Sequence, residues 1–223
     1  MNLSDLHRRL LADVLAIGTP YPLVITGGYA IQAHGLVDRL SQDLDVATEN
    51  PAPMADIARD LEQGLTHRGW RIAIIGVDPL SARLMVTDPA TGEDCEVDIL
   101  KENLWSPPTD TEYGPVLALD DVIGTKVRAL ADRGAVRDLI DVHAAADHHT
   151  TTDLERLGQR HGRDEFRLHD LRDRLGGADW YDDEEFAAYG LAEDQISHLR
   201  AWAQQWIGDL DQRLSSDEGD PEI

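Results

Sequence analysis

The stretch Leu23-Val24-Ile25-Thr26-Gly27-Gly28-Tyr29-Ala30-Ile31-Gln32-Ala33-His34-Gly35, with Arg39-Leu40-Ser41-Gln42-Asp43-Leu44-Asp45-Val46-Ala47 close behind it, decides the fold. Leu23 to Ile25 is a short apolar run that predicts a buried strand. Gly27-Gly28 breaks it, and Tyr29 to His34 reads as a helix ending at Gly35. In the second stretch Leu40, Gln42, Leu44 and Val46 fall on one side and Ser41, Asp43 and Asp45 on the other, the alternation of a strand with three polar groups on one face. Residues two apart on a strand project the same way, so Asp43 and Asp45 offer two carboxylates to one point in front of the sheet. Hard oxygen donors at that spacing suit Mg²⁺. A glycine pair between strand and helix lets a phosphate approach the backbone closely, and the amides and helix dipole there favour it.

Working outward, Leu3, Leu6, Leu10, Leu11, Val14 and Leu15 have helical spacing over residues 3–17, with a Ser4/Asp5 start and a stop at Gly18 and Pro20. A helix is expected at 53–68 and strands at 70–76, 81–87 and 93–100, separated by Asp78-Pro79 and Pro89 to Gly92. In the last of these, Asp94, Glu96 and Asp98 alternate with Cys95, Val97 and Ile99, and Asp98 near its end offers a third carboxylate. Three carboxylates around two divalent ions form a clamp for phosphoryl-group transfer. From Leu119 the pattern turns helical, with helices expected at 119–131, 136–147, 153–160, 164–175, 183–188 and 193–214. The chain thus reads as α/β (α+β), a mixed sheet followed by a helical lobe. The expected division is a catalytic lobe at 1–117, a helical lobe at 118–214 and a disordered acidic tail at 215–223, too polar to bury anything.

The 223 residues suffice for one large domain or two lobes, and no apolar run approaches the roughly 20 residues of a membrane span. The first ten residues show no basic region followed by an apolar stretch, so a cytoplasmic protein without a membrane partner is expected. Cys95, the single cysteine, has no intramolecular disulfide partner and reads as packing. A formal charge of -23 repels phosphate backbones unless the few cations gather in one cleft, for which Arg39, Arg128, Arg133 and Arg137 are candidates. Arg39 reads either as a phosphate ligand or as an ion-pair partner of Asp43 or Asp45. Lys101 and Lys126 are the only lysines among 20 basic residues, and Lys126 and Arg133 share a helical face. Asp147-His148-His149 reads as a helix end rather than a zinc site, and Trp202 with Trp206 as helix packing rather than a base-stacking pair.

In this order of parts, residues 22–98 resemble the nucleotidyltransferase superfamily with a polymerase-beta-like fold. More narrowly, Thr26-Gly27-Gly28-Tyr29-Ala30, the block from Arg39 to Thr48, and Lys126-Val-Arg128-Ala-Leu-Ala-Asp-Arg133-Gly-Ala-Val-Arg137-Asp138-Leu-Ile-Asp141 resemble the AbiEii/AbiGii toxin family, which includes the MenT toxins. Residues 150–223 carry no part of the resemblance. It implies Mg²⁺-dependent transfer of a nucleoside monophosphate from an NTP to an RNA 3′ end, foremost that of tRNA, with release of pyrophosphate and a neighbouring antitoxin. It implies that Asp43 and Asp45 are catalytic metal ligands, with Asp98 as a third ligand assisting the nucleophile. Gly27, Gly28 and Ser41 would cradle phosphate, Lys126 would lie on the triphosphate, and Asp138 would orient Lys126 or share its site. Ser41 occupies a position phosphorylated in some members, where about two added negative charges would repel the triphosphate. Two other readings stay open: an aminoglycoside-type small-molecule nucleotidyltransferase, which an acidic groove suits, and a non-catalytic binding module derived from such an enzyme.

Overall fold

The computed structural model describes residues 1–39, 41–162 and 166–217. The chain divides into two compact units, Met1–Val122 and Ile123–Ile223. Among the described residues no helix is long and apolar enough to cross a membrane.

The first unit is a mixed sheet with three helices. It begins with α1 (Asp5–Ile17), whose N-cap Ser4 accepts a hydrogen bond from the His7 amide and whose apolar stripe buries Leu6, Leu10, Leu11 and Val14. Then come β1 (Val24–Ile25), α2 (Gly27–Ala33), β2 (Leu44–Thr48), α3 (Met54–His67), β3 (Arg71–Asp78), β4 (Ser81–Thr87), β5 (Asp94–Lys101), β6 (Thr109–Thr111) and β7 (Gly114–Val116). The seven strands are ordered β3-β4-β5-β2-β1-β7-β6. The β2/β5 and β1/β7 pairs are parallel, and the β3/β4, β4/β5, β1/β2 and β6/β7 pairs are antiparallel. Alternation sets the core: Cys95, Val97 and Ile99 of β5 and Ala82, Leu84 and Val86 of β4 are buried, as are Met54, Ile57, Leu61 and Leu65 of α3. Deleting one such fully buried leucine side chain costs about 2–5 kcal/mol.

Two expectations change. The strand carrying Asp43 and Asp45 begins only at Leu44, so Ser41, Gln42 and Asp43 precede it and Asp45 alone lies within it. The glycine pair is itself the first turn of α2 rather than a break before it. The β6/β7 hairpin has no counterpart in the sequence pattern. Its strands are three residues each, β6 all polar and β7 Gly-Pro-Val, and Val116 of β7 pairs with Ile25 of β1.

The second unit is helical, as expected. α4 (Leu119–Arg133) begins in the first unit and continues into the second, followed by α5 (Val136–Ala145), α6 (Thr151–His161), α7 (Leu168–Leu175), a 3-10 turn at Gly176–Asp179, α8 (Asp183–Ala187) and α9 (Glu193–Asp217). Thr150 and Asp153 form a capping box on α6, and Asp182 and Glu185 form one on α8. Trp206 is fully buried and tilted against Trp202 at 5.3 Å, the packing role expected of this pair. Its indole N–H donates to Glu155 at 2.7 Å, and Arg213 donates to the same carboxylate. The expected tail at 215–223 falls partly in α9 (Ser215 to Asp217), and residues 218–223 lie outside the described residues.

Candidate active site

The site grows from Gly27. Its φ of +61° is left-handed, and a methyl group added to it would fall on the Asp45 carboxylate. Only glycine permits both the backbone angle and the approach. A methyl group on Gly28 would come within 2.6 Å of Ser41 Oγ and 3.8 Å of an Arg39 guanidinium nitrogen. The Thr26 amide donates to the Asp45 carbonyl at 2.9 Å, fixing the end of β1 on β2. Gly27, Gly28, Arg39, Ser41 and Asp45 are therefore brought together, although Ser41 and Asp45 do not share one strand face.

Parallel pairing of β2 with β5 sets Asp45 beside Asp98, and antiparallel pairing sets Asp98 beside Arg83 of β4. Arg83 donates to both oxygens of Asp98, at 2.8 and 2.7 Å, and lies 3.1 Å from Glu96. This fork-to-fork pair holds the arginine strongly protonated, first through its hydrogen bonds to Asp98 and further through the charges of Asp98, Glu96 and Asp43. The carboxylate row thus ends in a cation that the sequence pattern did not reveal. Among the described residues no three His, Cys, Asp or Glu side chains are gathered as a group able to hold a metal ion.

Asp43 acts electrostatically on three buried neighbours. Burial pushes the Cys95 thiol up to about 12, with Asp43 and Asp45 adding to the shift, so this cysteine is an uncharged packing group. Burial and the charges around it also push Tyr29 up to about 12. Burial lowers His7 below the ordinary histidine range even though Asp43 opposes that shift. His7 Nδ1 lies 2.5 Å from the Tyr29 hydroxyl.

Two of the predicted residues, Lys126 and Asp138, belong to the second unit. Lys126 Nζ lies 2.8 Å from Asp141 Oδ2, both side chains being buried. Asp138 instead takes a bidentate pair from Arg133, at 2.7 and 2.9 Å. The expectation that Asp138 orients Lys126 is thus corrected: Asp141, one helical turn further along α5, is the lysine's partner. Arg128 donates to the His161 carbonyl at 2.9 Å.

The strand β1, the glycine-started helix α2 and the carboxylate-bearing strand β2 belong to an arrangement that solved structures share. JHP933 from Helicobacter pylori shares it at a TM-score of 0.55 and 20% identity, over 97% of this chain and 98% of that one. MenT4, the nucleotidyltransferase toxin Rv2826c of Mycobacterium tuberculosis H37Rv, shares it at a TM-score of 0.60 and 18% identity, over 93% and 82%. No individually curated protein matches. The family described as nucleotidyl transferase AbiEii toxin, of type IV toxin-antitoxin systems, matches residues 9–209, and the chain belongs to that family. It is a nucleotidyltransferase, which sets aside the non-catalytic module.

Proposed function

We propose that this toxin-family nucleotidyltransferase acts in the cytoplasm, transferring a nucleoside monophosphate from an NTP to the 3′ hydroxyl of an RNA, tRNA being the acceptor class, and that a cognate antitoxin restrains it. The observation that carries the proposal is the close approach of the Asp45 carboxylate to Gly27 and of Ser41 Oγ to Gly28, which sets a carboxylate and a hydroxyl against the glycine-started turn of α2 where a triphosphate would lie. Asp43 and Asp45 supply hard oxygens and would hold Mg²⁺, with Asp98 joining through the lone pairs that Arg83 leaves. When bound, the metal lowers the pKa of the attacking hydroxyl and offsets charge on the triphosphate.

The chain's own residues then do the following. Gly27 and Gly28 let phosphate lie against the backbone, while Ser41 Oγ and the Arg39 guanidinium flank it. Arg83 holds Asp98 in the carboxylate row. The RNA 3′ oxygen forms a bond to the α-phosphorus as the bond to the β-phosphate oxygen breaks. The hydroxyl proton passes to the carboxylate row, and pyrophosphate leaves. In the second unit, Asp141 Oδ2 holds Lys126 Nζ at 2.8 Å.

One observation favours a second acceptor: a formal charge of -23 suits a polycationic aminoglycoside better than RNA. The test is incubation with Mg²⁺ and each labelled NTP, offering total tRNA or an aminoglycoside panel, with Asp43→Ala as control. Label on tRNA that Asp43→Ala abolishes is expected, with binding that weakens steeply with salt. Label on the drugs alone overturns the RNA reading.

A further inference from the structure

The backbone that carries Arg39 and Ser41 is held from beneath by two buried side chains of α2. Gln32 Nε2 donates to the Arg39 carbonyl, and the Tyr29 hydroxyl donates to the Ser41 carbonyl at 3.3 Å. Both side chains are buried, Tyr29 being 1% exposed, so neither bond is readily replaced by water. Each is held in turn by the N-terminal segment. The Asn2 amide donates to Gln32 Oε1 at 2.8 Å, and His7 stands edge-on to the Tyr29 ring with centroids 5.7 Å apart.

The direction of the second chain follows from proton counting. A phenol has one proton and a carbonyl only accepts, so Tyr29 spends its proton on Ser41. With the Tyr29 proton donated to Ser41, the 2.5 Å contact is a hydrogen bond in the His7 tautomer that carries its proton on Nδ1, and the chain runs through that tautomer. The N-cap bond from the His7 amide to Ser4 Oγ, 3.1 Å, fixes the start of α1 and so the histidine itself. Two parallel chains result, Asn2 to Gln32 to Arg39 and His7 to Tyr29 to Ser41, ending on the carbonyls of two residues that flank Gly28.

We infer that residues 2–7 and α2 form a strap that sets the nucleotide-facing backbone of Arg39 and Ser41, with Tyr29, Gln32 and His7 as positioning residues for NTP binding. The inference rests on the proposed nucleotidyl transfer. The strap is made in the ground state, so it acts on NTP affinity more than on the chemical step.

Tyr29→Phe removes the hydroxyl and leaves the ring in the core. Losing about 1 kcal/mol of hydrogen bonding corresponds to a roughly fivefold effect. NTP KM is expected to rise by about that factor while kcat stays within about twofold. Amide exchange is expected to quicken by the same factor in the peptide spanning residues 36–43, with exchange in β4 and β5 unchanged. His7→Asn, which places an N–H where Nδ1 stood, should stay close to the parent, and His7→Leu should behave as Tyr29→Phe. An unchanged KM, unchanged exchange at 36–43, or loss of protection spread evenly over the first unit overturns the strap. If the parent transfers label from no NTP to any acceptor, the proposed function falls, and exchange in Tyr29→Phe still decides whether the strap exists.

Discussion

Gly27→Ala probes the site at its narrowest point. An alanine held at a φ of +61° costs about 1–2 kcal/mol in backbone strain alone, and its methyl group would also occupy the place of the Asp45 carboxylate. For a chain of this length that strain lowers Tm by about 2–8 °C. The carboxylate must move as well, and a displacement of about 1 Å at a reacting group costs on the order of 10²-fold in rate. Gly35→Ala is the matched control: its φ of +73° carries a similar backbone cost, yet a methyl group there meets nothing within 4 Å. Thermal melting and labelled-nucleotide transfer should therefore separate the two variants. Both lose a few degrees, and only Gly27→Ala loses transfer by about 10²-fold. Equal activity in the two variants, or a Gly27→Ala protein within about twofold of the parent, would refute the geometric argument.

Further outcomes follow from the same geometry. Asp43→Asn and Asp45→Asn should each lower transfer by about 10³-fold or more, the effect of losing several kcal/mol of charge stabilisation, as measured by single-turnover kinetics. Asp98→Asn should cost less, because Arg83 already engages both its oxygens; an Asp98 effect equal to that of Asp45 would contradict this ranking. In the second unit, Glu155→Ala leaves the buried Trp206 indole N–H unsatisfied and removes the carboxylate to which Arg213 donates, and should destabilise the protein by about 2 kcal/mol in urea melts. A loss below about 0.5 kcal/mol would show the network to be dispensable. Burial lowers His7, and burial with the neighbouring His198 lowers His143, so both are favoured neutral in the folded state. Their contribution is complete above the ordinary histidine value of 6.5 and is lost as pH falls through the lowered values, because the unfolded chain then binds more protons. Stability should therefore fall as pH drops below the ordinary histidine value of 6.5, with a shallower slope in His143→Gln; parallel slopes would contradict the assignment.

Local periodicity made much of the fold legible. The stripe of α1, the alternation of β5 and the glycine punctuation of α2 each follow from residues close in sequence. What periodicity does not carry is register. Nothing local places Asp45 beside Asp98, because that pairing joins strands about 50 residues apart, and in the β4/β5 hairpin it is the register across the turn that sets Arg83 opposite Asp98. The β6/β7 hairpin escaped for the same reason, since its pairing with β1 joins residues far apart in the chain. The start of β2 was misplaced because the alternation of residues 40–47 continues past the point where the ladder ends. In the second unit, Lys126 was singled out by its rarity, but its partner Asp141 was not. Helical spacing places both Asp138 and Asp141 on α5, and only the packing of α4 and α5 decides which meets the lysine and which meets Arg133.

The most direct measurement compares two labels on one nucleotide. The protein, Mg²⁺ and tRNA are incubated with an NTP labelled either at the α-phosphate or at the γ-phosphate, beside Asp43→Ala. Nucleotidyl transfer predicts α-label on the acceptor and γ-label in released pyrophosphate, both lost in the variant. γ-Label on the acceptor, or α-label transferred equally by Asp43→Ala, would contradict the account.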